Sequence, residues 1–198
     1  MARAQTDYPS KQVRIISDSA PGSAIDVGLR IIADGLTQHW NQQVVVVNQP
    51  GAGGAISANA TAPPDGYTLY APALSVFLTL PGKAPNLLLE LPRDFLPVGY
   101  TVDQPLTIGV SPKLGVNTLS ELIALAKRKP GEISYGTSGV GRLTHLTGEL
   151  LQIRAEIKLQ MVPYPGGSAQ ALSDVLGGRI DMVIEGTLEL PARSSRVI

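Results

Sequence analysis

The sequence contains no cysteine and only two histidines among its 198 residues. The lack of cysteine excludes disulfide bridges and thiolate metal sites, and it leaves the redox compartment undetermined. The two histidines, His39 and His145, lie far apart in the sequence, and one histidine without a partner does not make a metal site. We therefore predict no metal site and no cofactor.

An excess of charge of either sign is also lacking, because 16 Lys and Arg residues balance 16 Asp and Glu residues. This balance removes the electrostatic reason to expect nucleic acid or an anionic membrane as a partner. No apolar run approaches the ~20 residues that a bilayer-spanning helix needs. Hydrophobic residues make up 43% of the chain, which is enough for the core of one large domain or two small ones.

Short apolar segments alternate with helical patterns along the whole chain. Strands are predicted at residues 13–16, 44–47, 67–71, 106–110, 133–135, 160–162 and 180–184. The first predicted helix begins near Asp26, and its core face is formed by Ile25, Leu29, Ile32, Leu36 and Trp40. Alternation of this kind indicates an α/β fold with mostly parallel sheets, and the apolar run 44–47 suggests a strand buried on both faces.

The second half of the chain repeats this alternation after a break. Residues 74–97 are predicted to be irregular, so we place a boundary near 101, with a first α/β lobe at 1–101 and a second at 102–198. Thr118 and Glu121 form a capping-box pattern ahead of a helix. The core-facing residues predicted for this helix and the next are Leu119, Leu122, Ile123 and Ala126, then Leu143, Leu146, Leu150 and Ile153.

The stretch "NQPGAGGAISANA" at 48–60 superficially looks like a phosphate-binding loop. A phosphate loop needs Gly-x4-Gly-Lys-Ser/Thr, and neither Gly51 nor Gly53 is followed by that arrangement. The dinucleotide fingerprint fails as well, because Ile56 stands where it requires Gly or Ala and Asp65 follows too soon. The glycines are better explained by a tight turn between strand and helix.

No set of side chains forms a catalytic pattern. Ser138 in "GTSGVG" lacks the glycine that a nucleophile elbow needs two positions later. Asp181 and Glu185 flank a strand without acid–base geometry, so solvated or capping roles are expected for both. His39 is expected to be a solvated helix-end residue, whereas His145 follows a glycine-rich loop and is a candidate for lining a pocket. We predict no catalytic residue and no enzymatic activity.

Several predicted strands instead end in small, polar, glycine-containing loops that lead into helices. These loops are residues 20–23, 73–75, 136–139 and 164–168. In open α/β sheets, ligands bind at the carboxyl ends of strands, where helix N-termini present N–H groups that suit an anion such as a carboxylate. This arrangement favours a binding protein.

Motifs distributed over nearly the whole chain resemble one family. They are "YPSKQVRII" at 8–16, "APGSAID" at 20–26, "VVVVNQPGAGGAISANA" at 44–60, "PPDGYTL" at 63–69, "RDFLPV" at 93–98, "LIALAKRKPGEISYGTSGVG" at 122–141, "HLTGELL" at 145–151, "VPYPGG" at 162–167 and "LGGRIDMVIE" at 176–185. Their order and spacing resemble the Bug-type extracytoplasmic solute-binding receptors of tripartite tricarboxylate transporters.

The resemblance implies a two-lobed periplasmic-binding-protein-like fold of type II that closes on a small carboxylate. It also implies delivery of the ligand to membrane transporter subunits, a periplasmic location, and no nucleic-acid partner or membrane insertion. The ligand-binding residues that it implies are Pro21, Gly22, Ser23, Ala73, Ser75, Thr137, Ser138, Gly139, His145, Pro163 and Tyr164. Ala2-Arg3-Ala4 has the small-x-small form of a signal-peptidase site and is expected to be the remnant of a removed signal.

The chain departs from the family pattern in the first loop and at its end. Asp18 and Ser19 stand where the family usually has a proline and an aromatic residue, and Ser23 replaces a second glycine. A carboxylate at Asp18 would repel an anionic ligand unless a cation intervened. Family members also continue beyond the equivalent of Ile198, so we expect a fold that is incomplete at the C-terminus.

Three functional interpretations follow from the sequence. The first is a non-enzymatic receptor that binds a small carboxylate, or a truncated copy of one. The second is a hydrolase-type enzyme that uses Ser138 or His145 on the same α/β scaffold. The third is a non-binding truncated remnant.

Overall fold

The computed structural model describes residues 8–61, 64–83, 93–101, 103, 105–186 and 196–197. The elements are β1 Val13–Ser17, α1 Ala24–Trp40, β2 Val44–Asn48, α2 Ala55–Ala60, β3 Thr68–Ala71, α3 Leu74–Lys83, β4 Leu106–Val110, α4 Leu119–Arg128, β5 Ser134–Thr137, α5 Leu143–Ala155, β6 Gln160–Pro163, α6 Ser168–Gly177, β7 Met182–Gly186 and β8 Arg196–Val197. The predicted α/β class is confirmed. The expected signal remnant, Ala2-Arg3-Ala4, lies outside the described residues.

The described residues form two compact units. The first unit contains the described residues up to Pro72 and from Leu80 to 101. The second unit contains Ala73–Thr79 and the described residues from Asp103 onward. The sequence assigned residues 73–79 to the first lobe. The structure places them with the second unit, where Thr79 Oγ1 donates a hydrogen bond to the carbonyl of Gly141 at 3.2 Å.

The first unit contains a parallel sheet with the strand order β2-β1-β3. Ile15 of β1 is in register with Val46 of β2 and with Leu69 of β3. Helix α1 packs on this sheet through Leu29 and Ala33, and its remaining core contacts come from Ile25, Leu36 and Trp40. The predicted face is confirmed except at Ile32, which is half-buried and lies outside this core. The prediction for β2 was wrong in part: beyond Val44 the strand is only half-buried, because it lies at an edge among the described strands.

Helix α1 begins with local hydrogen bonds that its sequence supplies. Ser23 is the N-cap residue, and its hydroxyl accepts from the amide of Asp26 at 3.3 Å. Asp26 lies in the first turn, as predicted, where a carboxylate interacts favourably with the helix dipole. The helix ends at Asn41, which adopts the left-handed conformation that asparagine tolerates well. His39 is exposed in the last turn, as expected.

The second unit contains a mixed sheet of five strands with the order β6-β5-β7-β4-β8. Strand β5 pairs in parallel with β6 and β7, whereas β4 pairs antiparallel with β7 and β8. The core on this sheet includes Leu122, Tyr135, Met182 and Ile184, which are all fully buried.

Helix α4 confirms the predicted cap with one difference in detail. Thr118 Oγ1 accepts from the amide of Glu121, but the Glu121 carboxylate accepts from the amide of Asn117 rather than from that of Thr118. Leu122 and Ala126 are buried as expected. Leu119 is 40% exposed, so its predicted core position was wrong.

Helix α5 turns a different face to the core from the one predicted. The predicted face is largely exposed: Leu143, Leu150 and Ile153 are 46%, 53% and 72% exposed, and Leu146 is half-buried. The buried face carries Thr144 and Gly148 instead. The physical reason is the Tyr135 ring of β5, which lies so close to Gly148 that only a residue without a side chain fits there.

We expect Ile153→Lys to change the free energy of unfolding by less than about 0.5 kcal/mol, because the side chain is already largely in water. Urea unfolding of both proteins measures the difference. Leu151→Lys is the matched control on the same helix, and it should be clearly destabilising because Leu151 packs against the core. An Ile153 variant as unstable as the Leu151 variant would mean that the Ile153 face is packed in solution.

Helix α3 occupies residues that the sequence predicted to be irregular. The prediction gave too much weight to the prolines, whereas the first turns of α3 are proline-free. Within these turns Thr79 Oγ1 also lies 3.0 Å from the carbonyl oxygen of Ser75, so its single hydrogen is shared between this carbonyl and that of Gly141. Among the residues described, no helix is both long and apolar enough to cross a bilayer.

Candidate functional site

A cluster of hydroxyl groups lies where β5 ends and α5 begins. Thr144 Oγ1 lies 2.8 Å from Thr137 Oγ1 and 2.9 Å from Ser138 Oγ, and it also accepts from the Ser138 amide at 3.2 Å. Thr137 is 1% exposed and Thr144 is 4% exposed, whereas Ser138 is half-buried. The loop predicted as a ligand loop is therefore organised by Thr144, a residue that the sequence analysis did not select.

Thr144 can satisfy all three contacts at once only in certain arrangements of hydrogens. A hydroxyl has one hydrogen to donate and two lone pairs to accept with. The Ser138 amide occupies one lone pair, so Thr144 accepts from one neighbouring hydroxyl and donates to the other. If Thr137 donates to Thr144 and Thr144 donates to Ser138, the Ser138 hydroxyl keeps its own hydrogen for an external acceptor.

His145 supports the same loop through its ring. Its Nδ1 atom accepts from the Gly141 amide at 3.1 Å, and this contact requires Nδ1 to carry no proton. The Nε2 atom lies 3.7 Å from Glu149 Oε1, and this carboxylate also accepts from the Tyr135 hydroxyl at 3.1 Å. Burial and the contact with Glu149 raise the pKa of Tyr135. The His145 ring thus holds the backbone of the loop at Gly141, and its Nδ1 atom is occupied by this hydrogen bond.

The first turn of α3 contributes a hydroxyl of a different kind. Ser75 is 1% exposed, and its Oγ atom has no hydrogen-bond partner among the described residues. Buried polar atoms nearly always have a hydrogen-bond partner, so the Ser75 hydroxyl is an exception to that rule. Thr79 connects the same helix to the carbonyl of Gly141. Ala73, predicted with Ser75, accepts from the amide of Val76 at 2.9 Å.

Pro163 is the last residue of β6 and Tyr164 follows it, and the two residues differ in burial. Pro163 is exposed. The Tyr164 ring lies in a small core with Ala171 and Val175, and its hydroxyl donates to Asp174 at 2.7 Å. Burial, followed by this hydrogen bond, raises the pKa of Tyr164 to about 12. The side chain of Tyr164 is thus engaged within the unit, and its amide donates to the carbonyl of Thr137 at 2.8 Å.

The loop between β1 and α1 lies in the first unit. Pro21 and Gly22 are exposed, and Gly22 has a φ of 78°, a conformation that glycine adopts without strain. The Gly22 amide donates to Asp26 Oδ2 at 2.8 Å, and the Ser23 amide donates to the carbonyl of Ala20 at 3.2 Å. These amides are therefore already hydrogen-bonded within the loop.

The residues that immediately precede this loop are buried and polar. Ser17 Oγ lies 2.6 Å from Ser19 Oγ, and Asp18 between them is 3% exposed. Asp18 is thus one of the most buried carboxylates in the part of the chain that the structure describes. The expected repulsion between Asp18 and an anionic ligand stays a prediction.

Burial alone would raise the pKa of Asp26, which is 2% exposed. Hydrogen bonds from Arg30, Gly22 and Asn48, together with the charge of Arg30, outweigh burial, so the pKa of Asp26 is lowered. Asp26 consequently carries a negative charge at neutral pH inside the first unit, beneath the loop.

The glycine-rich stretch after β2 forms a turn, as the sequence indicated. Gly51, Gly53 and Gly54 have φ values of 127°, 64° and 102°, which L-residues rarely adopt. The Gly54 carbonyl accepts from Ser57 Oγ at 2.9 Å and from Tyr70 Oη at 3.3 Å. The glycines thus allow the chain to reverse between β2 and α2.

The carboxylates Asp181 and Glu185 have structural positions. Asp181 Oδ2 accepts from both the amide and the hydroxyl of Ser134, and it thereby ties the start of β7 to that of β5. Glu185 is 6% exposed, so of the two roles expected for it, solvated or capping, the solvated one was wrong. Among the described residues, no group of three or more His, Cys, Asp or Glu side chains is arranged to hold a metal ion.

The sequence matches the family described as "Tripartite tricarboxylate transporter family receptor" over residues 29–197. It is 39% identical to the protein BugT of Bordetella pertussis over 184 residues, which cover 90% of this chain and 55% of BugT. The chain thus spans about half the length of this relative.

Solved structures agree with the family assignment. The periplasmic binding protein BugD superposes with a TM-score of 0.82 at 29% identity, covering 96% of this chain and 65% of BugD. The structure described as "R. palustris Rpa4515 with adipate" superposes with a TM-score of 0.78 at 26% identity, covering 96% of this chain and 66% of that one. The fold is therefore that of the periplasmic binding proteins, and this chain belongs to the tripartite tricarboxylate transporter receptor family.

Proposed function

We propose that this protein is a periplasmic receptor that binds a small carboxylate and delivers it to the membrane subunits of a tripartite tricarboxylate transporter. The observation that carries the proposal is the hydroxyl cluster at the end of β5. In the arrangement in which Thr137 donates to Thr144 and Thr144 donates to Ser138, the half-buried Ser138 hydroxyl donates to a ligand oxygen. Successive hydrogen bonds of this kind polarise one another, which strengthens the final bond to an anion.

The composition of the cluster favours a carboxylate over a cation. The groups that reach the cluster from the loop are hydroxyls, a backbone amide and the Gly139 carbonyl, which is 3.5 Å from Thr137 Oγ1, and none of them is an ionised acid. Ser75, with its buried hydroxyl, adds a further donor in the same unit. The adipate in the structure of a related protein supports the same ligand class.

The residues that we propose to bind the carboxylate extend beyond this cluster. They are Pro21, Gly22 and Ser23 in the first unit, and Ala73, Ser75, Thr137, Ser138, Gly139, His145, Pro163 and Tyr164 in the second. The Tyr164 hydroxyl is engaged with Asp174 and its amide with the carbonyl of Thr137, so we assign Tyr164 a contribution through its position beside Thr137 and not through a donated hydrogen bond.

The hydrolase alternative requires a base beside Ser138. The hydroxyl partner of Ser138 is Thr144, and the Nδ1 atom of His145 is occupied by the Gly141 amide. A nucleophilic serine is normally activated by a hydrogen-bonded base. This observation favours the receptor over the enzyme.

Calorimetric titration with adipate and citrate tests the proposal, and adipamide serves as the uncharged control. We expect saturable binding of at least one carboxylate and no binding of adipamide. Ser138→Ala should weaken the binding by about tenfold, because one hydrogen bond to a charged group is lost. A dissociation constant that Ser138→Ala leaves unchanged would show that Ser138 does not contact the ligand.

The alternatives give different results in the same preparations. Hydrolysis of p-nitrophenyl acetate that disappears in Ser138→Ala would establish the enzyme and contradict the receptor. Absence of binding to every carboxylate, in a protein that unfolds cooperatively, would favour the non-binding remnant.

A further inference from the structure

The motif "NQPGAGG" begins with Asn48, a residue that the turn itself does not explain. Asn48 is the last residue of β2, and the positive-φ glycines come after it. Its Nδ2 atom donates to Asp26 Oδ1 at 2.9 Å and to the carbonyl of Ser19 at 3.2 Å. The side chain therefore contacts residues on both sides of the loop 20–23.

Asp26 transmits the contact to the tip of that loop. Its Oδ1 atom is held by Asn48, and its Oδ2 atom accepts from the Gly22 amide at 2.8 Å. Arg30 Nε donates to the same Oδ2 atom at 3.0 Å. With both oxygens engaged, the carboxylate cannot rotate without breaking at least one of these hydrogen bonds, so the position of Gly22 depends on it.

Arg30 also fixes the orientation of the Asn48 amide. Arg30 Nη2 donates to Asn48 Oδ1 at 3.0 Å, which leaves Nδ2 as the atom that faces Asp26. The reverse orientation would bring the amide oxygen against a carboxylate, where neither atom has a hydrogen to donate. Asn48, Asp26 and Arg30 thus form a network in which each polar group has a defined role.

From this network we infer that Asn48 and Asp26 are positioning residues, which set the conformation of the loop 20–23 for the ligand without contacting it. The inference rests on the proposed function, in which Pro21, Gly22 and Ser23 bind the carboxylate. It gives the first residue of the glycine-rich motif a function in binding. Asparagine suits this place because it donates to a carboxylate and accepts from a guanidinium at the same time.

Hydrogen exchange of the Gly22 amide tests the positioning directly, because Gly22 is an exposed residue whose amide donates to Asp26. In Asn48→Leu, which keeps the branched shape of the side chain and has no donor, we expect Gly22 to exchange about tenfold faster, since the hydrogen bond from Asn48 that holds Asp26 is worth about that factor. Asn48→Asp keeps an oxygen for Arg30, loses the donor and adds a negative charge beside Asp26, so its effect should be at least as large as that of Asn48→Leu. Affinity for adipate or citrate should fall by a similar factor in both variants.

Thr37→Val is the matched control. Thr37 lies on α1, remote from the loop, and its hydroxyl donates to Ala33 and accepts from the Val44 amide. This variant loses comparable hydrogen bonds, and we expect Gly22 exchange and affinity to stay at the wild-type values. A merely structural role for Asn48 predicts equal effects in Thr37→Val and Asn48→Leu.

The outcomes separate the inference from the proposed function. Unchanged Gly22 exchange in folded Asn48→Leu and Asn48→Asp overturns the positioning role. Faster exchange with unchanged affinity overturns the link between the loop and the ligand. If the wild-type protein binds no carboxylate, the proposed function fails, and the exchange result still decides whether Asn48 positions the loop.

Discussion

Replacing Gly148 by alanine is expected to lower the free energy of unfolding by about 1–3 kcal/mol, the usual cost of overpacking a core. A Cβ atom at this position would lie within contact distance of Tyr135 Cε2, Cζ and Oη, with Oη at 2.8 Å, closer than carbon and oxygen tolerate. Tyr135 is fully buried, and its hydroxyl is bonded to Glu149, so the ring has no free space to move into. Helix α5 would have to shift away from β5.

Gly35→Ala is the matched control, because Gly35 is also a helix-interior glycine and a Cβ there would meet nothing within 4 Å. Alanine favours a helix over glycine by roughly 0.5–1 kcal/mol, so this variant should be as stable as the wild-type protein or slightly more stable. Urea unfolding measures both. If both substitutions stabilise the protein, α5 is not held against Tyr135 in solution as the structure has it.

Replacing Thr144 by valine is expected to affect both stability and binding. Valine has nearly the same shape, but it cannot accept from the Ser138 amide or bond the hydroxyls of Thr137 and Ser138. The Thr137 hydroxyl is buried and would lose its closest partner, which costs about 1–3 kcal/mol of unfolding free energy. Carboxylate affinity should fall by about tenfold as well, because the Ser138 hydroxyl loses the group that orients it.

The measurement combines urea unfolding with calorimetry, and Thr147→Val on the same helix is the control whose hydroxyl lies outside the cluster. A double-mutant cycle with Ser138→Ala tests the route of the effect. If Thr144 acts through Ser138, the affinity losses will not add, since residues in one hydrogen-bond network couple. Fully additive losses would show that Thr144 influences the ligand by another route.

The strands and the first helix were predictable because their signals are local. The core face of α1 follows from apolar residues at helical spacing, and β1 and β2 follow from short runs rich in β-branched residues. The cap at Thr118 is equally local, since it needs only a hydroxyl and an acidic residue three positions apart.

The orientation of α5 was not predictable in this way. Its leucines have helical spacing, but the face that meets the sheet is chosen by the Tyr135 ring, which needs a glycine opposite it. A hydrophobic pattern indicates that a helix has an apolar face, and it does not indicate which partner is present to cover it. The prediction also failed for α3, because we gave the prolines in residues 74–97 more weight than the helix-compatible residues at its start.

The candidate site was predictable as a set of loops and not as a network. Small polar residues after strands marked 20–23 and 136–139, because ligand loops lie at the carboxyl ends of strands. Thr144 was missed, although a threonine among the leucines of a predicted helix was a signal that could have selected it. The sequence indicated only that Asn48 begins a turn, because its hydrogen-bond partners, Ser19 and Asp26, are distant in sequence.

The sequence by itself determined the α/β class, the family and the segments that end in candidate ligand loops. These depend on the order of residues along the chain, which periodicity and motifs report directly. Only the tertiary structure decided that Thr144 organises the second-unit loop, that Asn48 reaches both sides of the first-unit loop, and that Gly148 lies against Tyr135. A hydrogen bond or a steric contact depends on distances of a few ångströms between residues from different elements, and these distances exist only once the helices and strands have packed together.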